Sequence, residues 1–170
     1  MPHKNNVKAV VLASNKKDEL LANAQTLMIS TSSEDGSDIE WGVAPFVRLN
    51  GMFYIYVSEL GAHVRAILKG HSVLFSIIED ESVAQNIWAR IRLKFQGKLT
   101  KIERGNEQFI KVCKNFSEVH GPVMSLIKDF SDFHLIEIEP VKGTVVTGFG
   151  SAFNLSGINL ELTERLSSNG

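Results

Sequence analysis

Two groups of residues have the types and spacing to hold an anion. Ser58, His63 and Arg65 follow the apolar run Met52-Phe53-Tyr54-Ile55-Tyr56-Val57. A strand end that opens a helix presents free backbone N–H groups and a favourable dipole to negative charge. A hydroxyl, an imidazole and a guanidinium would add to that field. The second group is Arg90, Arg92, Lys94 and Lys98, whose period-two spacing puts all four on one side of a strand. Like charges so close call for something acidic opposite, either cross-strand carboxylates or a ligand's phosphate or carboxylate. The guanidinium fork suits such groups better than an ammonium, which favours Arg90 and Arg92 over the lysines. Each group also has a plainer use, as a helix cap with solvated neighbours or as a charged outer face.

The elements that must carry these residues can be read from pattern. Residues 5–24 read as a helix interrupted near Ser14-Asn15, with Ser14 capping a second segment. Strands are expected at 26–31, 39–49, 52–57, 72–78, 90–102, 133–139 and 144–149. Asp35-Gly36 and Asn50-Gly51 are hairpin turns, and Pro45 marks a sheet edge or a bulge. Strand 52–57 is apolar on both faces, so one side belongs inside a barrel and the other under a helix or a partner subunit. Short helices are expected at 61–69 and 123–130, with a helical turn through Trp88. An amphipathic helix carries Phe109, Val112, Cys113, Phe116 and Val119. Many strands with helices in the connections give an α+β fold, a small antiparallel barrel. The expected division is a helical segment (1–24), a barrel (25–153) and a tail (154–170) that packs on the barrel or on a partner subunit.

Bulk properties exclude several functions. The chain has 170 residues, 44% hydrophobic and 22% charged, the balance of one soluble domain. A net charge of −1 gives no basic field for nucleic acid. Cys113 is the sole cysteine, so there is no internal disulfide and no cysteine-rich metal site. Ala9–Ala13 is too short for a signal-peptide core, and no run approaches a membrane span. Together these features predict a cytoplasmic protein. No metal-binding spacing links His63, His71, His120 and His134. Asp132 and His134 could pair on one strand, and Trp41 and Trp88 could stack on a planar ring.

Six segments in order carry a family pattern: Val43-Ala44-Pro45-Phe46-Val47, Ser58-x4-His63-x-Arg65, Ile78-Glu79-Asp80-Glu81, Ala89-Arg90-x-Arg92-Leu93, Asp132-Phe133 and Gly148-Phe149-Gly150-x-Ala152. Over roughly residues 20–153 they resemble the haem-utilisation (HugZ/HutZ-type) branch of the pyridoxamine 5′-phosphate oxidase-like proteins. The resemblance implies an FMN-binding split β-barrel and a homodimer with two sites at the subunit interface. In FMN-binding relatives the flavin phosphate positions fall on Ser58, His63, Arg65 and Arg92. His63 stands where oxidase relatives often have lysine. In the haem branch, haem lies at the dimer interface and is degraded with oxygen. Its iron is held there by a histidine close to the C-terminus. No histidine follows His134 in this sequence, which leaves His134 or His63 as ligand candidates, while Asp132 matches an acidic position near the haem. The expectation is therefore an FMN-binding flavoprotein, an oxidoreductase of unspecified substrate with no assigned catalytic side chain. The alternatives are a haem-binding or haem-degrading protein of iron utilisation, or a non-enzymatic flavin or haem module.

Overall fold

The computed structural model describes residues 2–166, with side chains from Val7 onward; Met1 and the last four residues of the expected tail lie outside it. The elements are α1 (Pro2–Asn23), β1 (Thr26–Ser32), β2 (Ile39–Leu49), β3 (Met52–Ser58), α2 (Ala62–Leu68), β4 (Val73–Ile78), β5 (Arg92–Ile102), α3 (Glu107–His120), α4 (Val123–Ile127), β6 (Phe133–Gly148), β7 (Ser151–Ser156) and β8 (Glu161–Arg165). All pairings are antiparallel, in the order β3-β2-β1-β4-β5-β6-β7-β8. A further β3–β6 ladder closes the first six strands into a barrel. This is the expected α+β split barrel. No described helix is long and apolar enough to cross a membrane.

Alternation fills the barrel. Leu27, Ile29, Phe53, Ile55, Phe75, Phe95 and Ile138 are fully buried within it. The Phe46, Phe53, Phe95 and Phe75 rings follow one another at centroid spacings of 5.5, 4.7 and 5.4 Å. Val64 and Ile67 from α2 join the same core, as do Ala13, Leu20 and Leu21 from α1. Tyr54 and Tyr56 point the other way, into a second cluster with Phe109, Val112, Cys113 and Phe116 of α3. Helices thus cover the outer face of β3, where the sequence left a choice between helix and partner subunit.

Three expectations change. The N-terminal helix is continuous through Ser14-Asn15. Its Lys17 is almost wholly buried, its ammonium donating to the carbonyls of Leu160 (3.0 Å) and Asn159 (3.3 Å) and pairing with Asp18 (3.0 Å). That tertiary anchor outweighs the local break. The two strands expected at 133–139 and 144–149 are one strand, β6. Its Pro140 is accommodated opposite Gly97, where the β5 register shifts. The tail from 154, expected to pack on the barrel or a partner subunit, instead extends the sheet, supplying the last three residues of β7 and all of β8.

Pro45 sits where β2 loses a neighbour. The Phe46 N–H points to β1, bonding the Gln25 carbonyl at 3.1 Å, so the ring nitrogen of Pro45 faces the β3 side. The β2–β3 ladder covers only Phe46–Leu49, and β2 from Ile39 to Pro45 pairs with β1 alone. The missing donor falls on that open edge, as expected.

Candidate functional site

Among the described residues, α3 covers the outer face of β2 at Val47 and Leu49, and no helix packs on that face from Ile39 to Val43. Ile39 (76% exposed), Trp41 (66%) and Val43 (53%) project from it. Register carries the same face through Met28 and Ser76 to Lys94, and two residues along β5 to Arg92, which pairs with Ile78. Lys98 has the acidic partner its charge called for, Glu139 across the β5–β6 ladder at 3.7 Å. Arg92 stands between Ile78 and Val146, and Lys94 between Ser76 and Thr144. Neither has an acidic partner among the described residues. Arg90 is outside the strand. Its guanidinium donates to the Glu79 carbonyl and pairs with Glu81 at 3.0 Å.

At the other end of the sheet, Ser58 closes β3. Its hydroxyl donates to Asp132 at 2.5 Å and accepts from the Leu60 N–H at 3.1 Å. His134 pairs with Glu59 through Nε2. Asp132 and His134 are therefore neighbours that face different partners, not each other. Arg65 is bound to Glu34 at 2.9 Å and to the Glu59 carbonyl at 2.7 Å, and Lys69 shares the same Glu34. These two cations, through their hydrogen bonds and charge, hold the Glu34 carboxyl below the usual carboxylate range.

His63 differs from its neighbours. It lies at the start of α2 with no hydrogen-bond partner among the described residues. Its ring occupies space left by two glycines. A Cβ on Gly42 would fall within 2.7 Å of all three of the ring atoms it meets, and one on Gly61 would sit 2.7 Å from Cε1. Burial pushes its pKa down, opposed by the nearby Glu40 carboxylate, so the ring is neutral near pH 7. A neutral imidazole with a free nitrogen is a competent ligand for iron. The side of β2 that it meets, through Gly42, is opposite the one carrying Trp41 and Val43.

The five expected anion-binding residues do not meet in one chain. Ser58 pairs with Phe133 and Arg92 with Val146. These two β6 positions are 146 − 133 = 13 residues apart, roughly 40 Å of strand path. Ser58, Arg65 and Arg90 are already occupied by Asp132, Glu34 and Glu79/Glu81. Sequence reasoning singled out Asp132, Glu79 and Glu81 but missed these pairings, and it missed Glu34, Glu59 and the glycine seat of His63. Glu59 is adjacent to Ser58, but no local signal marks Glu34 or Gly42. Among the described residues, no three His, Cys, Asp or Glu side chains stand together as a metal cluster.

The six-strand ring places the chain in the pyridoxamine 5′-phosphate oxidase-like split-barrel class. A protein related to general stress protein 26 from Clostridium acetobutylicum, of the pyridoxine phosphate oxidase family, shares this fold. Its TM-score is 0.63 at 12% identity, over 84% of this chain and 93% of its own. No protein-family model matches the sequence. The chain is 30% identical over 158 residues to haem oxygenase HutZ of Vibrio cholerae, covering 89% of each. It belongs to the HutZ-type haem-utilisation family. The solved structure of HutZ, described as a haem storage protein, gives a TM-score of 0.71 at 24% identity, over 85% of this chain and 96% of that one. Campylobacter jejuni ChuZ gives 0.79 at 27% identity, over 92% of this chain; the chain spans 64% of ChuZ's length.

Proposed function

We propose that this chain binds haem, as a homodimer, in haem storage or breakdown. The observation that carries this reading is the state of the cations. Of the cations expected to hold an anion, Arg65 and Arg90 are neutralised within the chain, while Arg92, also expected at the flavin phosphate, and Lys94 are left on an apolar, uncovered sheet face. Haem is flat, largely apolar and carries two carboxylates, which such a surface suits better than FMN. The descriptions of HutZ as a haem oxygenase and as a haem storage protein point the same way. Bound haem would supply iron-centred oxygen chemistry that no side chain provides.

Each residue then has a role. His63 is the iron-ligand candidate, being neutral and unpartnered, whereas the Nε2 of His134 is committed to Glu59. Ser58 and Asp132 hold the end of β3 against the start of β6, so that α2 opens in a fixed position. Arg92 and Lys94 meet carboxylates. Because His63 and the face with Trp41 lie on opposite sides of β2, a complete site takes residues from two copies. Covering Ile39, Trp41 and Val43 with the second copy also removes an exposed apolar patch from water.

The test is a titration of the purified protein with haemin and, separately, with FMN, followed by absorbance. Wild type should saturate with a shifted Soret band and take up little FMN. His63→Gln should change the band and weaken binding by about tenfold, and Trp41→Glu should give a monomer with weakened binding. Tighter binding of FMN than of haem would overturn the reading.

A further inference from the structure

Among the described residues, one buried side-chain nitrogen or oxygen has no hydrogen-bond partner: Nε of Arg48. A donor so placed forfeits its water without regaining a bond, which native proteins rarely leave uncorrected. The guanidinium carbon lies over the Phe53 ring at 5.2 Å, so the group is held and not trailing in solvent. Burial works against its charge, and Asp18 is the nearby carboxylate that supports it. Asp18 is nevertheless not bonded to Arg48; it pairs with Lys17 at 3.0 Å and is largely exposed.

Arg48 stands at the junction of two grooves of about 390 and 610 Å³, which share Asp18, Arg48 and Asn159. The smaller is also lined by Ser14, Lys17 and Glu161. The three donors of Lys17 are taken by the Asn159 and Leu160 carbonyls and Asp18, so Arg48 is the cation there with bonding capacity to spare. The groove runs between α1, the Asn50-Gly51 turn and the turn preceding β8. That is the opposite end of β2 and β3 from His63 and Ser58.

We propose that this groove is a second binding site, for a small oxyanion of carboxylate or phosphate type. Arg48 receives its oxygens, with the Ser14 hydroxyl and the Asn159 amide beside it. A fork of two parallel N–H donors suits both anion classes. The carboxylates of Asp18 and Glu161 at the rim favour a small, singly charged group over a polyanion.

The test uses the haem-free full chain at constant ionic strength made up with chloride. Inorganic phosphate and acetate are titrated separately, reading the Arg48 Nε–H resonance and the heat of binding. Saturable binding of either anion that moves the Arg48 resonance supports the site, and the anion that binds more tightly identifies the ligand class. Arg48→Met, which keeps the contact with Phe53, should lower affinity at least tenfold. Asp18→Asn should raise it several-fold. The site is refuted if neither anion saturates above the chloride background, or if Arg48→Met binds as wild type does. If Arg48→Met fails to fold, the wild-type resonance alone decides. Phosphate affinity that disappears on haem loading would also overturn the proposal, by making the groove part of the haem site.

Discussion

Gly42→Ala is the sharpest probe of the His63 seat. The new Cβ would stand 2.7 Å from Nδ1 and closer still to Cε1 and Nε2. Ordinary contacts are about 3.5–4.0 Å, so the ring must retreat by roughly 1 Å or swing out. Keeping it in place would cost about 1–3 kcal/mol of overpacking. Removing a glycine from a strand returns about 0.5–1 kcal/mol. The cheaper outcome is that His63 leaves its seat, with a net loss of about 1 kcal/mol or less. The sign of the pH effect then follows. In the wild type, burial depresses the folded-state pKa of His63 below its unfolded value of about 6.5. Between the two values the unfolded chain binds more protons, so this residue's contribution lowers stability as pH falls through that window. In Gly42→Ala the freed ring titrates like the unfolded chain, and that contribution disappears. Urea unfolding at about pH 8 and about pH 5 measures the difference, compared with His63→Gln to isolate this ring from other groups. NMR titration of His63 should show its pKa rising, and haem binding should weaken in step. An unmoved His63 resonance with an unchanged pH slope would refute the steric argument.

Two further outcomes are expected. Arg104 donates to the carbonyls of Lys128, Phe130 and Phe133 and to the Tyr56 hydroxyl, clamping the segment that leads to Asp132. Arg104→Met should lower the unfolding free energy by about 2–4 kcal/mol in denaturant melts and broaden the Asp132 NMR signals. The Cys113 thiol is buried against Phe109 and Phe116 and pushed up to about 11. Iodoacetamide at pH 8 should therefore leave it unmodified in the native protein and label it only at the rate of unfolding.

What could be read from the sequence was local. Asn50 and Gly51 both take positive φ (52° and 84°), and the chain reverses there as the dipeptide demands. The alternation of β3 and β5 is intrinsic to strands and gave their faces correctly. The misread places are those where distant residues decide. Nothing near Ser14 reveals that Lys17 will be held by carbonyls more than 140 residues away. Pro140 and Gly143 look like a turn, yet both sit within β6. Gly143 lets the β5 backbone at Lys94 approach where a Cβ would collide. The candidate site was legible in its residue types but not in their pairing. Ser58 and Asp132 are 74 positions apart, and Arg65 and Glu34 are 31 apart. Only the fold reveals that several expected ligand contacts are already made inside the chain.

The seam that shuts the barrel has a consequence for how the chain reaches its native form. β3 meets β6 through pairs from Ser58–Phe133 to Phe53–Ile138, separations of 75 and 85 residues, with two strands and three helices between them. Hairpins such as β2–β3 can zip early, but this last ladder must wait for most of the polypeptide to be made and collapsed. Until then β3 and β6 are open edges bearing apolar rows, the kind of intermediate that recruits other molecules. The topology therefore predicts slow maturation, helped by low concentration or chaperone shelter during synthesis.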